Sequence, residues 1–216
     1  MSNFKPKGPV IGPLVLCGVC IQETDLPFLL EIGVKDSKKL GTKRRRVLAD
    51  LIINNCHSYK IIIVSPDEID QREVKKITLN ELEENKMAEI INTLKPSSIY
   101  IDAVDVNEAR FRKSILKLID YIPEEIISKH KADDIFPIVS AASIIAKDKR
   151  DSIIEEIKEK IGDFGSGYPS DRKTIKFLRN WMKEKKNIPP FARKSWETTK
   201  KIFNEEVINR KISDFF

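Results

Sequence analysis

Three short apolar runs in the first half of the chain predict β-strands that are covered on both faces. Residues 14–21 are apolar without the alternation of a half-exposed strand, and the runs 59–64 and 99–102 are flanked by Ser or Pro. Residues 78–95, between the last two runs, place leucine and isoleucine at helical spacing after the Thr-x-x-Glu pattern of a capping box. Strand, helix and strand in this order predict an α/β unit.

The second half of the chain predicts mainly helices. Asn107 can cap the first of them, Gly162 ends the longest, and a loop rich in Gly, Ser and Pro follows over residues 162–170. The predicted helices cover residues 107–120, 139–161 and 171–186, with a last one from Ser195 after Pro189 and Pro190.

The charge of the chain is concentrated in its last fifth. The 216 residues are 41% hydrophobic and 33% charged, which is typical of a globular protein, and the net charge is +6. Residues 172–211 alone contain 13 Lys and Arg against 4 Asp and Glu, a net charge of +9. An excess on this scale favours a surface that binds nucleic acid over an ordinary solvated face.

Three cysteines are an odd and sparse set, which argues against a disulfide framework, so we expect a reducing, cytoplasmic location. Cys17 and Cys20 have the spacing of a redox or zinc pair, but no second pair completes such a site, and both lie in the apolar run of a predicted strand. Prolines interrupt this run and it is too short to span a bilayer, so neither a signal peptide nor a membrane partner is expected.

Carboxylates near the ends of neighbouring strands are the first candidates for chemistry. Asp102 ends an apolar strand, and Asp133 precedes another apolar segment. Such groups meet at one edge of an α/β sheet and can hold Mg²⁺ through oxygen. Asp134 competes with Asp133 on spacing alone, whereas Asp105 is interpreted as part of a loop ahead of the next helix.

Two basic or glycine-rich segments and one tyrosine are candidates for substrate contacts. The turn that includes Lys7 and Gly8, and Lys38 in a short lysine run, could bind phosphate. Tyr168 stands on a loop beside the basic segment, where its ring could stack on a sugar or base; a packed structural tyrosine is the alternative.

A series of motifs gives the chain a specific resemblance. In order along the sequence they are GPVIGPLV, KDSKKL, LNELE, YIDAVDVNEARF, HKADDIFPIVSAASIIAKDKRD, GYPSD and SW. This series resembles ribonuclease HII, most closely its archaeal members, over residues 7–196. The resemblance implies a ribonuclease H-like mixed sheet flanked by helices, with a C-terminal basic helical subdomain. It also implies an endonuclease that cuts the RNA strand of RNA/DNA hybrids, and DNA that carries single ribonucleotides.

The resemblance assigns roles to particular residues. Two divalent cations, Mg²⁺ or Mn²⁺, are held in the family by four carboxylates, of which Asp102 matches the third and Asp133, rather than Asp134, the fourth. Tyr168 matches the tyrosine that stacks on the sugar after the ribonucleotide. Lys7 and Gly8 fall in the turn that reads the 2′-hydroxyl, and Lys38 and Lys147 fall where phosphate contacts are expected.

The N-terminus departs from the family pattern. Asn3-Phe4-Lys5-Pro6 stands where the family has Asp-Glu-Ala-Gly, which supplies two metal ligands and the first glycine of the reading turn. Phe4 cannot bind a metal and Pro6 has no N–H to donate, so we expect impaired cleavage by this chain. A non-catalytic protein that binds hybrids or DNA is the alternative, and an unrelated sugar-phosphate or nucleotide enzyme is disfavoured by the motif series.

The last residues reproduce the spacing of a peptide that binds sliding clamps. One helical turn would place an aliphatic and an aromatic side chain on the same face, next to a second aromatic. The alternative is that both terminal phenylalanines pack on the protein's own core. We expect a monomer with a catalytic domain over residues 1–170, a basic subdomain over 171–206 and a clamp-binding tail over 207–216. The clamp-binding residues are Asn209, Ile212, Phe215 and Phe216.

Overall fold

The computed structural model describes residues 8–34 and 40–209, and these form the predicted α/β fold. The strands are β1 (Leu14–Cys20), β2 (Ser58–Val64), β3 (Ser98–Asp102) and β4 (Glu125–Lys129). The helices are α1 (Leu26–Glu31), α2 (Thr42–Asn55), α3 (Pro66–Val74), α4 (Leu79–Leu94), α5 (Glu108–Leu118), α6 (Ala132–Ile135), α7 (Pro137–Ile161), α8 (Arg172–Lys185) and α9 (Glu197–Phe203), followed by a π-helical turn over Asn204–Ile208.

Local sequence signals explain most of these elements. The capping box at the start of α4 is present, because the Thr78 hydroxyl accepts from the Glu81 N–H and the Glu81 carboxylate accepts from the Thr78 N–H. Asn107 caps α5 by accepting from the Arg110 N–H, and Asp171 caps α8 by accepting from the Lys173 N–H. The predicted strands and helices are therefore confirmed to within a few residues at their ends.

The described strands pair two by two. β1 pairs with β2, and β3 pairs with β4 in parallel, in a register that places Asp102 opposite Lys129. β1 lies directly against α4, because a side chain at Gly18 would overlap Ile90. The parallel pair is the feature that positions the candidate site, since its two carboxyl ends lie at the same edge.

The chain divides into two compact units. The sheet unit consists of residues 15–63 and 78–151. It contains one core of α1, α2 and α7 residues, among them Leu48, Ile52 and Ile144, and a second core formed by β3, α4 and α5 around Phe111.

The C-terminal unit consists of residues 1–14, 64–77 and 152–216, of which 8–14, 64–77 and 152–209 are described. Its core is aromatic: the rings of Phe164, Phe177, Trp181 and Phe191 lie 5.4–6.3 Å apart in pairs between centroids. Among the described residues of the chain, no helix combines the length and the apolar composition that a bilayer crossing requires.

Candidate active site

Asp102 lies at the carboxyl end of β3, as the sequence predicts. Its Oδ1 accepts a hydrogen bond from the backbone N–H of Ala132 at 3.2 Å. The parallel register pairs Asp102 with Lys129, and the N–H of Ala103 donates to the Lys129 carbonyl at 2.9 Å. The ends of β3 and β4 therefore lie together, and Asp102 reaches the segment that follows β4. The carboxylate of Asp102 is thereby held at the start of α6.

Asp133 does not lie at the end of a strand, which corrects the sequence-based placement. β4 ends at Lys129, Lys131 then adopts a left-handed conformation with φ of 53°, and Asp133 follows within the single turn of α6. The Asp133 side chain is buried, whereas Asp134 is exposed. The structure thus brings Asp102 next to the segment that carries Asp133. It also distinguishes Asp133, which is buried, from its neighbour Asp134, which is exposed.

A third carboxylate, Glu108, joins the loops on either side of this site, and the sequence pattern did not predict it. Glu108 accepts from the backbone N–H of His130 at 2.7 Å and from the Lys129 ammonium at 3.4 Å. The His130 ring contacts the Val106 carbonyl at 3.1 Å. The His130 N–H, followed by Lys129, lowers the pKa of Glu108. The only signal in the sequence was that Glu108 begins the helix after the Asp102 strand.

Asp105 organises the loop between β3 and α5, as predicted. The Arg110 guanidinium donates to both of its oxygens, at 2.6 and 2.5 Å, and the Asn107 N–H donates at 3.0 Å. These contacts, with Arg110 first, lower the pKa of Asp105 to about 2. Asp105 is therefore committed to the loop that follows Asp102.

Two of the residues expected to hold a metal, Asp102 and Asp133, lie among the described residues. Within residues 8–34 and 40–209, no group of three or more His, Cys, Asp and Glu side chains is placed to hold a metal ion. Asp102 and Asp133 offer two carboxylates, the hard oxygen ligands that Mg²⁺ and Mn²⁺ prefer, so their chemistry fits a divalent cation.

The cysteine pair does not form a reactive site. Cys17 and Cys20 lie on β1 and are half-buried. Burial raises the pKa of Cys17 to about 12 and also raises the pKa of Cys20. Both thiols stay protonated near neutral pH, in agreement with the interpretation as strand cysteines.

The structure brings the Gly8 turn and the Tyr168 loop together within the C-terminal unit. The N–H groups of Val10 and Ile11 both donate to the Gly167 carbonyl, at 2.8 and 3.1 Å. Tyr168 follows directly and is 41% exposed, so its ring is accessible to a ligand. Thr174 supports the loop, because its hydroxyl accepts from the Gly167 N–H and donates to the Phe164 carbonyl.

Asp171 fixes the other end of this loop. One carboxylate oxygen accepts from the Ser166 N–H at 2.7 Å and the other from the Lys173 N–H at 2.9 Å. These backbone donors lower the pKa of Asp171 to about 2. The loop that carries Tyr168 is thus tied to the first turn of α8.

A basic groove begins at this loop and was not predicted as a distinct feature. It has a volume of about 330 Å³. Its lining combines loop and α8 residues, which are Pro169, Ser170, Arg172, Ile175, Lys176, Arg179 and Asn180. Arg179 pairs with Glu205 and Glu206, at 2.6 and 2.7 Å.

The remaining predicted site residues are distributed as follows. Lys147 lies on α7 in the sheet unit and is partly exposed, and Asn209 is exposed at the end of the described chain. Lys7, Lys38, Ile212, Phe215 and Phe216 lie outside the described residues.

Comparisons with known proteins agree on one family. A family model for ribonuclease HII matches residues 6–199. A ribonuclease HII from Methanocella arvoryzae is 50% identical over 194 residues, which are 89% of this chain and 86% of that protein.

Two solved structures share the fold at similar identity. The crystal structure of ribonuclease H2 from Pyrococcus horikoshii OT3 matches with a TM-score of 0.87 and 43% identity, covering 92% of this chain and 93% of that one. The structure of the PCNA:RNase HII complex from Archaeoglobus fulgidus matches with a TM-score of 0.82 and 42% identity, covering 91% and 92%.

Proposed function

Because this chain belongs to the ribonuclease HII family, we propose that it is an endoribonuclease that cleaves the RNA strand of RNA/DNA hybrids and cuts at single ribonucleotides in duplex DNA. The observation that carries the proposal is the hydrogen bond from the Ala132 N–H to Asp102, which joins the carboxyl end of β3, at the edge of a parallel strand pair, to the segment that carries Asp133. Carboxylates at such an edge suit the two-metal chemistry of phosphodiester cleavage.

Asp102 and Asp133 are the proposed ligands for Mg²⁺ or Mn²⁺. Bound divalent cations would activate water and stabilise the charge that develops on the leaving oxygen. The protein's own part is orientation. The Ala132 N–H holds one oxygen of Asp102, and Glu108 fixes the His130 N–H three residues before Asp133.

Substrate recognition is assigned to the C-terminal unit and to lysines elsewhere. We assign reading of the 2′-hydroxyl to the backbone of the turn that contains Lys7 and Gly8, because this hydroxyl distinguishes RNA from DNA. Tyr168 stacks on the sugar that follows the ribonucleotide; its 41% exposure and its place beside that turn support the role. Lys38 and Lys147 are proposed to contact phosphates.

The chain with Asn3-Phe4-Lys5-Pro6 is proposed to have little or no nuclease activity. Two of the four carboxylates of the family pattern are absent from this segment, and Mg²⁺ needs several well-placed oxygens. A non-catalytic protein that binds hybrids or DNA is the second candidate function, and the same four residues are the observation that favours it.

The test is cleavage of a DNA duplex that contains one ribonucleotide, in Mg²⁺ and in Mn²⁺. The chain itself should give little or no product. A variant with a strand-forming leader and Asp-Glu-Ala-Gly in place of residues 3–6 should cut at the ribonucleotide, and Asp102→Asn should abolish that cutting. Robust cutting by the unaltered chain would contradict the impairment, whereas a folded but inactive restored variant would contradict the assignment of the site.

We further propose that the tail binds a sliding clamp through Asn209, Ile212, Phe215 and Phe216. The solved complex of PCNA with a ribonuclease HII that is 42% identical supports a partner of this kind. A peptide of residues 205–216 should bind the cognate clamp with roughly micromolar affinity, because its apolar side chains fill a pocket at the cost of ordering the peptide. Fluorescence titration against a double Phe215→Ala, Phe216→Ala peptide tests this, and equal binding by the two peptides would exclude it.

The proposed division into residues 1–170, 171–206 and 207–216, the monomeric state and the cytoplasmic location stay predictions from the sequence. Sedimentation of the purified chain at several concentrations would test the oligomeric state.

A further inference from the structure

Arg193 is a buried arginine that contacts the backbone of the Gly8–Pro13 turn. Its side chain is 3% exposed. Its Nε–H donates to the Gly12 carbonyl at 3.1 Å, and an Nη2–H donates to the Pro13 carbonyl at 3.0 Å. A buried guanidinium is costly unless it is hydrogen-bonded, and charge-assisted bonds in a fixed fork are strong and directional. The guanidinium therefore constrains the path of two consecutive peptide groups.

The main chain around Arg193 also pairs with the turn. The N–H of Arg193 donates to the Val10 carbonyl and the N–H of Gly12 donates to the Phe191 carbonyl, each at 2.9 Å. Ile11 and Ala192 form an antiparallel bridge. Backbone and side chain of Arg193 thus hold the same short segment from one side.

The Arg193 segment is itself rigidly held. The Trp196 ring is 1% exposed and lies 4.7 Å from the Arg193 guanidinium and 5.5 Å from that of Arg72. Both oxygens of Asp70 accept backbone N–H groups, those of Lys194 and Ser195, at 2.8 Å. An arginine on such a support can fix the turn rather than follow it.

The opposite side of the turn is held by the loop that carries Tyr168. The Gly167 carbonyl accepts from two consecutive N–H groups of the turn, those of Val10 and Ile11. A Cβ at Gly8 would lie 3.6 Å from the Arg193 Nη1, so the guanidinium reaches to the first described residue of the turn. Any shift of the Arg193 contacts would therefore move the turn relative to Tyr168.

We propose that Arg193 is a positioning residue for substrate recognition: it sets the backbone of the Gly8–Pro13 turn at a fixed place beside Tyr168 without contacting the substrate. The inference rests on the proposed function of this turn and assigns its geometry to one side chain. Arg193→Lys keeps the charge but loses the forked pair of donors, so a lysine should not hold the turn in place as arginine does.

The experiment compares the full chain with Arg193→Met, Arg193→Lys and the control Met182→Ala. Met182 is buried on α8 in the same unit, so its truncation lowers stability through packing. Hydrogen exchange by mass spectrometry reports on residues 8–14. Filter binding gives the ratio of affinities for a duplex with one ribonucleotide and an all-DNA duplex of the same sequence.

Both Arg193 variants should speed exchange in residues 8–14 by about tenfold or more and reduce the affinity ratio, while Met182→Ala leaves this ratio unchanged. The proposal is overturned if the Arg193 variants leave the exchange rate of residues 8–14 unchanged. It is also overturned if they raise exchange evenly over the whole C-terminal unit, as the general loss of stability in Met182→Ala would. Faster exchange with an unchanged ratio overturns the role in recognition. A wild-type chain that binds both duplexes equally contradicts the proposed function of the turn, and exchange then still decides whether Arg193 fixes it.

Discussion

Asp133 and Asp134 are neighbours in sequence with different surroundings, because successive side chains on a helix point about 100° apart around its axis. Asp133 is buried at the edge that Asp102 approaches, whereas Asp134 is exposed. If Asp133 is the metal ligand, Asp133→Asn should weaken Mn²⁺ binding by about tenfold or more, because the loss of even an outer-shell partner has effects of that size. Calorimetric titration with Mn²⁺ measures the change.

Asp134→Asn is the matched control for this prediction. It removes the same charge one residue away and should change Mn²⁺ affinity less than threefold or so, since an exposed carboxylate contributes mainly screened attraction. A larger effect of Asp134→Asn than of Asp133→Asn would reverse the assignment of the ligand.

Gly12 illustrates how a single residue shapes the Gly8–Pro13 turn. Its φ is +92°, and a Cβ there would lie 2.6 Å from the Ile154 Cδ1. Gly162 has a nearly equal φ of +88°, but a Cβ there would have no heavy atom within 4 Å. Both alanine variants should lose about 1–2 kcal/mol to backbone strain, and Gly12→Ala should lose a further ~1–3 kcal/mol to overpacking. Equal losses in urea unfolding would show that Ile154 moves aside at no cost.

At the scale of elements, the loop between β3 and α5 should carry a measurable pH dependence. Arg110 lowers the pKa of Asp105 to about 2 in the folded protein, against about 3.9 for an unfolded aspartate. A depressed folded pKa stabilises the protein above pH ~4, and this contribution is lost as pH falls towards ~2. Arg110→Met should therefore reduce the free energy of unfolding at neutral pH, by an amount that shrinks between pH ~4 and ~2.

Lys117→Met removes the same charge from α5 and serves as the control for Arg110→Met. At each pH, the loss of unfolding free energy in Arg110→Met is compared with the loss in Lys117→Met. The titration of the other carboxylates is common to both variants and cancels in this comparison. A difference between wild type and Arg110→Met that stays constant from pH 7 to pH 2 would contradict the assigned ion pair.

Elements with local signals could be predicted, and those set by distant contacts could not. α4 was predicted because Thr78 and Glu81 satisfy its first N–H groups from within the segment. α3 was missed although Ser65 and Pro66 form an equally local N-terminal signal, so that omission was avoidable. α6 follows Lys131 in a left-handed conformation, which no local preference of a lysine indicates.

At the scale of the whole molecule, the residues of the candidate site also differ in whether a local sequence signal predicts them. The sequence predicted Asp102 at the end of a strand, and the parallel register of β3 and β4 explains why Asp102 reaches the Ala132 N–H, next to Asp133. The roles of Glu108 and Arg193 depend on hydrogen bonds to residues 22 and about 180 positions away, respectively, so no local pattern could reveal them. Side chains proposed to position a site are therefore harder to predict than those proposed as its ligands.

The basic charge of the C-terminal unit should make nucleic-acid binding depend steeply on salt. Arg172 and Lys176 lie one helical turn apart on α8 and line the groove that begins at the Tyr168 loop. Phosphates bound there would release counterions, so Arg172→Met with Lys176→Met should weaken binding to a DNA duplex and reduce the slope of log K against log salt by up to ~2.

Lys185→Met with Lys186→Met removes the same charge at the other end of α8, outside the groove, and should change the slope less. Titrations between about 50 and 200 mM salt measure both slopes. Equal slopes for the two double variants would mean that net charge, rather than this groove, attracts the nucleic acid.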